Sequence, residues 1–181
     1  MSDHDDILGL ALDWIEEGHS LAQATVVETW GSSPRPVGSQ LLINDRGNFV
    51  GSVSGGCVET FIVSEAIDVI DDGGVLNLEY GVTNEQAAEV RMACGGTIKV
   101  FVEGAPERDV LERLHEEQPI ARVVDMESGQ SAILSASGLE EGLSLDDQVQ
   151  ADARLLLKHG TSGVVKDGER KLFVKVYAKP R

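Results

Sequence analysis

Gly51-Ser-Val-Ser-Gly-Gly-Cys-Val-Glu59 reads as a strand end, a glycine turn and the first turn of a helix. Upstream, residues 40–43 and 48–53 are apolar and β-prone around Asn44-Asp-Arg-Gly47, which predicts a hairpin. Downstream, Val58, Phe61, Ile62, Ala66, Val69 and Ile70 keep a helical period, and Asp71-Asp-Gly-Gly74 stops it. This segment therefore joins a period of two to a period of 3.6 across a turn only a few residues long.

The same alternation runs through the chain. Residues 5–17 carry an apolar stripe of Ile7, Leu8, Ala11, Trp14 and Ile15 with acids opposite, which predicts a helix. Residues 23–30, 75–80, 97–103, 120–125 and 131–135 read as strands, and 106–117 and 145–159 as helices. A short helix is expected over 84–93, and a closing hairpin over 163–165 and 171–177 around Asp167-Gly168. Alternating helices and strands point to an α/β fold of mixed α+β layers, a mixed sheet with flanking helices. No internal repeat stands out. The softest boundary, Gly104-Ala-Pro106, divides a region 1–104 from an α/β extension 105–181 expected to pack on the same domain.

Composition excludes several classes of function. The chain has 181 residues, 41% hydrophobic and 4% aromatic, so it can build one aliphatic core. Its net charge is -16. Arg35 and Arg46 are the only Lys or Arg side chains before residue 91, so the acidity lies almost wholly in the first half. Such a surface repels phosphate backbones, so nucleic acid is not expected as a partner. An anion held by the first half must rely on backbone amides and on Arg35 or Arg46. No apolar run is long enough to cross a membrane, and the acidic N-terminus lacks the charge of a targeting peptide. Two cysteines do not make a disulfide scaffold, so the cytoplasm is the expected compartment.

Both cysteines sit against a glycine pair, Gly55-Gly56-Cys57 and Cys94-Gly95-Gly96. At a helix start, Cys57 would have its thiolate favoured beside amides that bind anions. A small buried thiol closing a tight turn explains the same residues equally well. Glu59 reads first as a first-turn helix acid and second as a base. Gly31-Ser-Ser-Pro-Arg-Pro-Val-Gly38 brings Ser32, Ser33, Arg35 and loop amides together, suited to a phosphate or a polar heterocycle, or simply to a rigid surface loop. Cys94 can equally be a buried residue beside a glycine helix stop. Phosphate-loop, dinucleotide, zinc and hydrolase signatures are absent: no Gly-Lys follows the turn, no Cys-x-x-Cys occurs, and no Gly-x-Ser-x-Gly is present.

The three segments together, in this order, resemble the XdhC/CoxI family, accessory factors of xanthine dehydrogenase and related molybdenum hydroxylases; the likeness covers roughly residues 8–104. The resemblance implies binding of the molybdenum cofactor (molybdopterin), assistance in its sulfuration by a cysteine desulfurase, and its insertion into an apo molybdenum hydroxylase. It implies a chaperone more than an enzyme. Ser32, Ser33, Arg35 and the Gly55-Gly56 amides would hold the phosphate and pterin, Ser54, Glu59, Gly95 and Gly96 would belong to the same cofactor site, and Cys57 and Cys94 would face the metal. A cysteine-dependent sulfur carrier acting through Cys57, and a non-catalytic acidic docking module, stay open as alternatives. Family members continue after a strand like 171–177 into a Rossmann-type domain. The expectation here is a short or split member, or a fragment, with that domain on a separate chain, and a homodimer as a further expected state.

Overall fold

The computed structural model describes residues 3–31, 35–54, 58–81, 96–140 and 142–178, with the backbone alone for 3–6. α1 (Asp3–Glu16) leads into β1 (Leu21–Trp30), β2 (Gln40–Asn44) and β3 (Phe49–Gly51), then α2 (Glu59–Asp72), β4 (Val75–Tyr80) and β5 (Thr97–Gly104). α3 (Arg108–Glu116) opens the second half. β6 (Ile120–Asp125), β7 (Ser131–Ser135), β8 (Gly138–Leu139), α4 (Asp147–His159), β9 (Gly163–Asp167) and β10 (Arg170–Tyr177) follow. The mixed α/β class and its flanking helices match the reading of the sequence. The expected helix over 84–93 lies outside the described residues.

The expected mixed sheet is instead two sheets of five strands, ordered β3-β2-β1-β5-β4 and β8-β7-β6-β10-β9. Every pairing within them is antiparallel. Helices between strands suggested parallel neighbours. Here, however, α2 and α4 each carry the chain from one edge strand to the opposite edge, so the strands they join never pair.

The two orders are the same pattern twice. Each half runs helix, three-strand meander, crossover helix and two-strand hairpin, and inserts the hairpin's last strand beside the meander's first. No repeat is visible in the residues, yet the topology is duplicated. Strand order depends on long-range pairing, which local composition does not encode.

Period-two alternation fixes which face packs where. Ala22, Ala24 and Val26 of β1 join Ile98, Val100 and Val102 of β5 under Ile62, Ala66 and Val69 of α2. On the second sheet Leu172, Val174 and Val176 pack under Val149 and Ala153 of α4. The other faces meet each other: Val27 and Phe101 pack on Val124, Met126 and Phe173. α1 and α3 close one side with Leu8, Ala11, Leu111 and Leu114. Each such buried Val, Leu or Ile side chain contributes on the order of 2 kcal/mol of burial.

A polar seam crosses this apolar contact. Arg122 of β6 grips Glu103 of β5 through two bonds of 2.7 and 2.8 Å. Gln23 donates to the same carboxylate at 3.1 Å. All three are buried. Burial opposes the Arg122 charge, but the Glu103 carboxylate outweighs it and raises the guanidinium pKa.

Candidate functional site

Register gathers the motif segments at one edge of the first sheet. Trp30, at the end of β1, pairs with Thr97 at the start of β5, and Tyr80, at the end of β4, with Ile98. β2 begins there with Gln40 opposite Thr25, and β3 ends there with Gly51 opposite Leu41. Gly31, Ser52, Gly81 and Gly96 therefore lie at the same ends of their strands. Gly31 and Gly81 adopt φ of +68° and +91°. A Cβ on Gly81 would fall 2.1 Å from the Gly96 carbonyl oxygen, and one on Gly31 3.6 Å from the Gly96 Cα. Bare glycine backbone is what lets these three ends close together.

Glu59 organises the turn before α2. Its carboxylate accepts from the Ser52 hydroxyl at 3.1 Å, from the Val53 and Ser54 amides at 3.3 Å, and from the Ser54 hydroxyl in a short contact. The Ser54 hydroxyl in turn accepts from the Val58 amide at 3.0 Å. Residues on both sides of 55–57 are thus tied to one buried carboxylate. Burial alone would push that carboxyl up, but the bonds from Ser54, Ser52 and the two amides outweigh it and hold it below the usual carboxylate value. The contrast with the repeated half is direct. α4 is capped conventionally, with the Asp146 side chain accepting from the Val149 amide, whereas Val58 at the α2 N-cap makes no side-chain cap.

Arg35 lines a cleft of about 540 Å³ between the sheets at the same edge. Gly38, Gln40 and Gly51 border it from the first half, and Thr161, Ser162 and Lys175 from the second. The reading of the sequence missed Lys175. Its signal was parity: on β10 it shares a face with Phe173 and Tyr177, which point into the contact between sheets. Trp30 is a second residue passed over. Its indole is 45% exposed at the end of β1, with the Lys99 ammonium 5.3 Å from the ring centroid.

Of the expected site residues, the structure places Arg35 in the cleft, Ser54 and Glu59 at the start of α2, and Gly96 against Gly31 and Gly81. Ser32, Ser33, Gly55, Gly56, Cys57, Cys94 and Gly95 lie outside the described residues. Ser54 and Glu59 sit on the α2 side of the sheet and Arg35 on the side facing the second sheet, so the candidate site wraps the sheet edge. Among the described residues no cluster of three His, Cys, Asp or Glu side chains could hold a metal ion. No described helix is long and apolar enough to cross a membrane.

Residues 14–81, which run from the end of α1 through β4, match the XdhC and CoxI family. The molybdenum cofactor insertion chaperone PaoD of Escherichia coli (strain K12) is 29% identical over 148 residues, 80% of this chain and 46% of PaoD. A probable xanthine dehydrogenase component of Bacillus subtilis (strain 168) is 26% identical over 132 residues, 68% of this chain and 40% of that protein. The chain thus spans less than half the length of these two relatives. A crystal structure described as a xanthine dehydrogenase from Bacillus halodurans has the same fold, with a TM-score of 0.72 at 22% identity over 98% of this chain and 53% of that one.

Proposed function

We propose that this chain is an accessory factor in molybdenum-enzyme maturation that binds the molybdenum cofactor and assists its sulfuration and insertion into an apo molybdenum hydroxylase. The observation that supports this reading is that Gly31, Gly81 and Gly96 close together at the same end of the sheet as the residues tied to Glu59. PaoD, which matches across both halves of the chain, is named for the insertion step.

The described residues suit such a group. A phosphate-bearing pterin needs fixed cations, exposed backbone and a surface to lie on. The edge offers Arg35 and Lys175, glycine backbone that a Cβ would obstruct, and the exposed Trp30 indole. The bound group supplies the metal and its dithiolene sulfurs. In this reading Arg35 and the loop amides bind it, Glu59 holds the 52–58 turn against it, and Cys57 and Cys94 face its sulfur-rich end. A cysteine desulfurase and the apo-hydroxylase are the proposed partners, and a separate Rossmann-type chain is a third.

The test is purification from a host that makes molybdopterin, followed by oxidation and fluorescence assay of the released pterin. Near-stoichiometric pterin is expected, with a loss of tenfold or more in Cys57→Ala at unchanged circular dichroism. Protein that carries no pterin and takes none up in vitro would overturn the proposal.

A further inference from the structure

We propose that Lys175, together with Arg35, forms a phosphate-monoester subsite in the cleft between the two sheets. The assignment of that phosphate to the cofactor rests on the function proposed above; the subsite itself stands on its own geometry.

Lys175 Nζ donates to the Gly38 carbonyl at 2.7 Å. That bond uses one of the three ammonium protons and neutralises none of the charge. Among the described residues no carboxylate pairs with it, although the chain carries a net charge of -16. On β6 its partner across the ladder is Arg122, already committed to Glu103. The Tyr177 ring also stands beside it, 5.2 Å from Nζ to the centroid. A half-buried ammonium on the wall of a cleft, beside one carbonyl, one ring and a second cation, is electrostatically incomplete. Burial lowers its pKa to about 8, which still leaves it charged at neutral pH.

The cleft supplies what would complete it. Arg35 adds a second positive charge. The Ser162 hydroxyl accepts from the Val176 amide at 3.0 Å, so its own proton remains to donate. Thr161 adds another hydroxyl at the rim, just past Gly160, which ends α4 in a left-handed conformation. Two cations and two hydroxyls around an open cleft suit a doubly charged tetrahedral anion better than a carboxylate. Gly38 is built for this junction: at φ +96°, a Cβ there would stand 3.0 Å from Ser162 and 3.7 Å from Lys175 Nζ.

The decisive experiment titrates inorganic phosphate into the full chain at pH 7 and constant ionic strength, with chloride as control. Saturable binding is expected, weakened tenfold or more in both Lys175→Gln and Arg35→Gln. A readout that needs no variant is the Lys175 side-chain resonance of the wild-type protein, whose pKa should rise when phosphate binds. Phosphate binding without any retention of pterin would uphold the subsite and remove the cofactor reading. An unmoved Lys175 resonance, or pterin retention undiminished in Lys175→Gln, would overturn the subsite while leaving the cofactor reading intact.

Discussion

Arg122 on the second sheet and Glu103 on the first form a bidentate ion pair, both buried, across the contact between the halves. Removing one member strands the other charge, so Arg122→Met or Glu103→Gln should cost about 3–5 kcal/mol in urea denaturation. The double variant Arg122→Met with Glu103→Leu should recover much of that loss. A double variant no more stable than the worse single one would show that the pair does more than compensate its own burial.

Glu59→Gln should destabilise the chain by about 2 kcal/mol near neutral pH, because it leaves several buried donors without their shared acceptor. The carboxyl sits below its ordinary value of 4.5 in the folded chain. Its contribution is therefore complete above that value and is lost as pH falls through the lower, folded one. Wild type and variant should converge on acidification; a gap independent of pH would contradict this account.

Lys175 also gives stability that rises with pH, but in the alkaline range and because burial disfavours its charge. Burial depresses its pKa from 10.5 to about 8. Between those values the unfolded chain holds a proton that the folded chain has released, so stability should climb with pH, by up to about 3 kcal/mol in all. The facing charged and titratable groups are Arg35, Arg122 with its Glu103 partner, and Tyr177. Tyr177 and Tyr80, both pushed up to about 12 by burial, lower stability only above pH about 10. Chemical denaturation from pH 7.5 to 10 should show the climb in wild type and not in Lys175→Met. Saturating phosphate should flatten it.

Two glycines should respond oppositely to alanine. At Gly81 the Cβ would meet the Gly96 carbonyl oxygen at φ +91°, so Gly81→Ala should cost about 3 kcal/mol or more and disturb the site edge. Gly9 lies within α1 with nothing within 4 Å of its Cβ position, so Gly9→Ala should stabilise by about 0.5–1 kcal/mol. Thermal melts of both, beside pterin retention for the first, check the pair.

Local elements were legible because their signals are local. The stripe from Ile7 to Ile15, the Asn44–Gly47 turn and the alternation of Ile98, Val100 and Val102 each state a period within a dozen residues. The duplicated topology was not, since nothing in β8 (Gly138–Leu139) announces that it is an edge or that α4 will cross to the other side. The site was legible in part. Arg35 stood out by the scarcity of cations around it. Lys175 stood among several basic residues and gained meaning only when β10 was paired with β6. Glu59 showed its position but not its role, because a first-turn acid and a carboxylate that ties up the preceding turn look the same in sequence.

Gly38 and Lys175 meet across a separation of 137 residues. At typical synthesis rates the ribosome needs on the order of ten seconds to go from one to the other. Until β10 has been made, the cleft beside Arg35 lacks the wall that carries Lys175. Cargo that depends on both walls cannot be captured by an unfinished chain. If the cleft binds the anion proposed above, loading has to wait until translation has passed β10.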